Sequence, residues 1–75
     1  MAFFLTPVIA GVPKWADQPG AHWRQSPDGT QALLEFTGPR QAYAAAKADP
    51  ETTELTRRQA RTVARQWNQL RRSQG

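Results

Sequence analysis

The chain has 75 residues, with 10 Lys and Arg against 6 Asp and Glu, a formal net charge of +4, and a hydrophobic share of 39%. That length makes a single domain, 1–75, with a modest core, and that hydrophobic share excludes a wholly disordered chain. The absence of cysteine excludes a disulfide and a thiolate zinc site, and the single histidine, His22, excludes a multi-histidine metal site.

Residues 1–10 predict a strand. In AFFLTPVIA, Phe3, Leu5 and Ile9 fall on one face and Phe4, Thr6 and Val8 on the other. Pro7 removes a ladder donor, which predicts a sheet edge or a bulge. This apolar start has no basic segment before it and is too short to span a membrane, so it reads as a buried strand in a soluble chain. Residues 11–21, GVPKWADQPGA, hold two prolines and two glycines and predict a loop. Trp15 within it either folds back over the core or stands out as an anchor for a partner.

Residues 22–37 predict a β-hairpin. SPDG places Pro27 and Asp28 at the centre of a turn, with Gly29 suited to a positive φ. Ala32, Leu34 and Phe36 share one face of the second strand, and Leu33 and Glu35 the other. The same alternation sends one of Trp23 and Arg24 into the core and the other out. Residues 39–49 predict a helix, with Pro39 in its first turn, alanines through its body, and Pro50 ending it after Asp49. ETTEL, 51–55, fits a short fourth strand or a connector.

Residues 56–72, TRRQARTVARQWNQLRR, predict a basic amphipathic helix before a frayed tail at 73–75. Thr56 and Gln59 have the spacing of a capping box. Ala60, Val63, Ala64, Trp67 and Leu70 form its apolar stripe, which puts Trp67 and Leu70 in the core. Arg58, Arg61, Arg65 and Arg72 lie within about 60° of one another on the far side. The six arginines of this stretch have no acid among them to pair with at i,i+4. Three roles are open to the ridge: a face that is solvated or paired within the fold with Glu35, Asp49, Glu51 or Glu54; a dock for an acidic protein; and a contact for nucleic-acid phosphates. The last ranks lowest, because the net charge is modest and no helix-turn-helix, zinc finger or RNA-recognition motif is present.

Together these elements predict an α+β fold: a small antiparallel sheet of three or four strands with two helices packed on one face. Nothing points to an enzyme. His22 has no triad partners, Ser26 is explained by its turn, no glycine-rich phosphate loop exists, and no carboxylate pair is set for acid–base work. We expect no cofactor, no metal, no small-molecule substrate and no membrane partner.

The layout also resembles small accessory structural proteins encoded among the virion and tail genes of tailed bacteriophages. The resemblance rests on FLTPVIAG, the tryptophan-led hairpin HWRQSPDGTQALLEFTG, and AYAAAKADPETTEL before a last helix. It spans most of the chain, and departs from the layout in the loop at 11–21 and the arginine-rich last helix. It implies a non-enzymatic capsid or tail component located in the virion, assembled in the host cytoplasm, and binding other virion structural proteins or copies of itself. Trp15 with the first strand would form one contact region, and Arg58, Arg61, Arg65 and Arg72 another. The alternative is a small nucleic-acid-binding regulatory protein using the same arginines on phosphates.

Overall fold

The computed structural model describes residues 1–74. Its elements in chain order are β1 (Ala2–Ile9), β2 (Val12–Pro13), β3 (Ala21–Gln25), β4 (Gln31–Phe36), α1 (Arg40–Ala48), β5 (Thr53–Leu55) and α2 (Arg57–Gln74). The fold is α+β, with an antiparallel sheet in the order β2-β1-β4-β3 and β5 added beside β1. ETTEL thus supplies the short extra strand. A further two-residue strand, β2, lies within the expected loop.

β1 is the centre of the sheet, which corrects the expected edge position. It pairs with β4 from Ala2 to Pro7 on one side. On the other side β5 pairs with Phe3 to Leu5, and β2 with Val8 and Ile9. Pro7 is tolerated because of this division. Its carbonyl accepts from the Lys14 N–H at 3.4 Å, so its donorless nitrogen faces the same side, in the gap between β5 and β2. The β1–β2 turn is Ala10–Gly11, both with positive φ (56° and 81°), the twist a two-residue hairpin needs.

The second hairpin forms through its turn chemistry. Gly29 donates to the Ser26 carbonyl at 3.0 Å with a φ of 75°. The Asp28 carboxylate collects the Ser26 hydroxyl at 2.6 Å and the Thr30 N–H and hydroxyl at 3.1 and 2.8 Å. Those bonds, the Ser26 hydroxyl first, hold Asp28 below its ordinary carboxylate range.

The register puts Phe4 opposite Leu34, Thr6 opposite Ala32, and Trp23 opposite Leu34, so these share one face. Phe4, Leu34 and Phe36 are buried there with Ala42 and Ala46 of α1. Phe4 meets Phe36 edge-on at 5.6 Å and Tyr43 at 5.8 Å. α1 therefore covers this face. Pro39 is its N-cap, with an extended backbone, rather than a residue of the first turn, and Asp49 before Pro50 is also extended.

The opposite face carries Phe3, Leu33, Glu35, His22 and Arg24, and these line a groove with Arg57, Ala60, Arg61 and Ala64 of α2. α2 thus lies across the other side of the sheet. The helices sit on two faces, not on one as expected, because β1 and β4 are apolar on both. The Thr56–Gln59 capping box forms, with the Thr56 N–H donating to Gln59 Oε1 at 2.9 Å and the Gln59 N–H to Thr56 Oγ1 at 3.1 Å. Helix continues through Ser73 and Gln74 of the expected frayed tail, whose remaining residue, Gly75, lies outside the described residues.

Candidate interaction surface

Trp15 is turned inward. It packs against the core cluster, and its indole N–H donates to Thr52 Oγ1 at 3.2 Å. Thr52 donates its one hydroxyl proton to Asp49 at 2.8 Å, so the Thr6 hydroxyl, 3.1 Å away, is the donor in the bond the two threonines share. Asp49 also accepts from Lys14 at 2.9 Å and from the Glu51 N–H at 3.1 Å. This network fastens the 11–20 loop to the α1–β5 link, and it holds Trp15 in a left-handed conformation with φ 68°. Trp15 is therefore removed from the expected contact region. β1 leaves it too, because both of its edges are occupied by the sheet.

The network titrates. Lys14, ahead of the Glu51 N–H and Thr52, holds Asp49 at about 2, below the ordinary 3.8. The depressed group stabilises the fold fully above the ordinary value, and that contribution is lost as pH falls through about 2. Lys14 is raised above 10.5, chiefly by Asp49, so its share persists below that value and is lost at still higher pH. Urea midpoints measured between about pH 4 and pH 2 should fall steeply for the wild type and less steeply for Asp49→Asn. Equal slopes would show that the network does not carry acid stability.

Three of the four acids expected to be available to the arginines are engaged elsewhere, and the fourth, Glu35, forms no ion pair among the described residues. Asp49 and Glu51 pair with Lys14, at 2.9 and 3.2 Å, and Glu54 with Lys47 at 4.0 Å. Glu54 also accepts the Tyr43 hydroxyl at 2.7 Å, which raises the phenol above its ordinary range. Among the described residues no arginine of α2 has a carboxylate within 4.0 Å.

α2 divides into three sectors. Ala60 and Trp67 are buried against the sheet, with Val63 and Ala64 half-buried beside them. Leu70 is 51% exposed, which corrects its expected place in the core. Arg58, Arg61, Arg65 and Arg72 are all exposed and form the second sector. Gln59, Thr62, Gln66, Gln69 and Ser73 make a neutral third. Arg71 is used by the fold: its guanidinium donates to the Gln25 backbone carbonyl of β3.

The arginine sector adjoins the groove, which has a volume of about 510 Å³. Phe3, Leu33, Ala60 and Ala64 supply its apolar lining, Arg24, Arg57 and Arg61 its cations, and Glu35 a carboxylate. Trp23 of the edge strand borders it, but the register sets its side chain on the α1 face with Leu34, where it is 44% exposed. Both Trp23 and Arg24 are thus on the surface, where one of them was expected in the core. Alternation alone could not show this, because β3 is the outermost strand of the sheet. The arginine pattern marked the ridge in the sequence. The groove beside it, which joins residues 22–24 to residues 57–64, had no local signal.

His22 is exposed, and Ser26 is held within its turn by Asp28. Among the described residues no group of three His, Cys, Asp or Glu side chains is placed to hold a metal ion, and no helix is long and apolar enough to cross a membrane. No protein-family model matches the chain, and neither a curated protein nor a solved structure matches it.

Proposed function

We propose that this protein is a non-enzymatic assembly component, a virion accessory protein that docks an acidic surface of another structural protein through Arg58, Arg61, Arg65 and Arg72. The observation that carries the reading is the absence of any carboxylate partner for these exposed side chains among the described residues. Arginines at i,i+3 and i,i+4 repel one another by a few tenths of a kcal/mol per pair, with no carboxylate partner among the described residues to offset it. A face of that kind gains from an external anion, and the guanidinium fork suits carboxylates in pairs.

A second contact fits assembly as well. Ile9 and Val12, each 59% exposed, face out together at the β1–β2 tip. They take the place of the Trp15 region as the apolar contact. The layout resemblance to phage virion proteins supports the same reading, and with it a location in the virion.

The test uses labelled polyglutamate as the acidic probe and a labelled DNA duplex of equal charge. Wild type should bind polyglutamate at low salt, and Arg58→Glu/Arg65→Glu should weaken it by roughly tenfold or more. Duplex DNA bound more tightly than polyglutamate, with the same loss in the variant, would replace this reading with the nucleic-acid one.

A further inference from the structure

Charge is divided between the two sides of the sheet. Six of the chain's ten cations are the arginines of α2, and Arg24 lies on that side with them, against one acid, Glu35. Four of the six acids lie on the other side. Asp49, Glu51 and Glu54 belong to the α1–β5 link and β5, from which Glu54 and Thr52 reach Tyr43 and Thr6 of the α1 face. Asp17 is on the loop whose Trp15 packs into the core of that face. The sixth acid, Asp28, is held in its turn. Only on the α1 side do carboxylates outnumber the cations, which there are Lys14, Arg40 and Lys47. We infer that the arginine face of α2 docks on a second copy of this chain, against Asp17, Glu51 and Glu54 of its α1 side. This docking rests on the assembly reading and names its acidic partner.

The three carboxylates are exposed and can accept more than they do. Asp17 has no ion pair among the described residues. The Glu51 side chain is 62% exposed with Lys14 at 3.2 Å, and Glu54 meets Lys47 only at 4.0 Å. A carboxylate has about four acceptor sites, and exposed pairs of this kind contribute little, so each can take a guanidinium as well. Asp49 is not available. Its side chain is 10% exposed and already accepts from Lys14, Thr52 and the Glu51 N–H.

Two copies cannot meet through the same face. Ridge against ridge sets guanidinium on guanidinium, and the α1 side against itself leaves every arginine of the ridge unpartnered. The complementary surfaces lie on opposite sides of one sheet, so the contact is head to tail. A copy that docks by its ridge leaves its own acids open to the next. Such a heterologous contact closes into a ring or runs on as a filament, and either sets many copies side by side. An unrelated acidic protein would use the ridge alone, whereas a copy of this chain uses both surfaces.

The experiment is sedimentation velocity on the wild type and two charge reversals. Wild type should sediment as oligomers at about 50 mM salt and shift to monomer at about 500 mM, where exposed charges are screened. Arg58→Glu/Arg65→Glu, which keeps the acids, and Asp17→Lys/Glu51→Lys, which keeps the ridge, should each be monomeric at low salt. Mixed in equal amounts, they should form a dimer and nothing larger, because together they hold one intact pair of surfaces. That rescue also shows that both variants are folded. Oligomers that survive either reversal overturn the inference, as does a mixture that stays monomeric. A wild type that is monomeric but binds polyglutamate overturns self-docking and leaves the assembly reading standing. A monomeric wild type that does not bind polyglutamate overturns both.

Discussion

Phe4→Ala should leave the protein unfolded, or nearly so, at room temperature. Phe4 is fully buried at the middle of the central strand, opposite Leu34 and Glu54 on its two neighbours. Its ring touches Phe36 edge-on and Tyr43 at a tilt, joining the sheet to α1. Truncating a buried phenylalanine costs about 3–5 kcal/mol, and aromatic pairs of this kind add about 0.5–1.5 kcal/mol each beyond area. At about 0.05–0.15 kcal/mol per residue, a domain of this length has only about 4–11 kcal/mol in total. The loss is therefore most or all of the stability. Phe4→Leu keeps much of the volume and should remain folded with a lower urea midpoint. The measurement is urea denaturation followed by circular dichroism. A Phe4→Ala midpoint equal to wild type would mean that the α1 face is not the main core.

Local chemistry was legible in the sequence. SPDG, the Thr56–Gln59 box, the break at Asp49–Pro50 and the Ala60–Trp67 stripe each depend on residues a few positions apart, and all form. The arginine ridge was legible for the same reason. What the sequence concealed is non-local. Lys14 meets Asp49 and Trp15 meets Thr52 across more than thirty residues, and no spacing rule joins them. A clue to the two-sided sheet was present: Phe3, Leu5 and Leu33 on one face are as apolar as Phe4, Leu34 and Phe36 on the other. A strand apolar on both faces belongs inside a sheet covered on both sides. Pro7 argued for an edge, and lost because the gap between β5 and β2 receives its nitrogen. Leu70 was misplaced because it stands about 60° around the helix from Trp67, far enough to leave the sheet. The groove depends on all these placements at once, so it became visible only when α2 was found on its own face.

Gly38→Ala should be the most damaging of the glycine substitutions. A Cβ on Gly38 would stand 2.1 Å from the Pro19 carbonyl oxygen and 3.2 Å from its carbon. Both are backbone atoms, so no side chain can swing aside, and the Pro19–Gly20 segment must separate from the β4–α1 link. That separation strains the bonds from the Thr37 N–H and hydroxyl to the Gly20 carbonyl, 3.2 and 3.1 Å long. Overpacking costs about 1–3 kcal/mol, and each hydrogen bond about 0.5–1.5 kcal/mol. A total of roughly 2–6 kcal/mol corresponds to a fall in melting temperature of roughly 10 °C or more for a domain of this size. Gly29→Ala is the control: its φ is 75°, but nothing lies within 4 Å of the added carbon, so it meets only the left-handed backbone penalty of about 1–2 kcal/mol. Because Gly20 leads directly into β3, the Gly38→Ala displacement should also shift the start of that strand. Thermal denaturation of the two variants side by side decides the matter. If Gly38→Ala melts with or above Gly29→Ala, the two segments are not in contact, and the start of β3 is held by something other than this close approach.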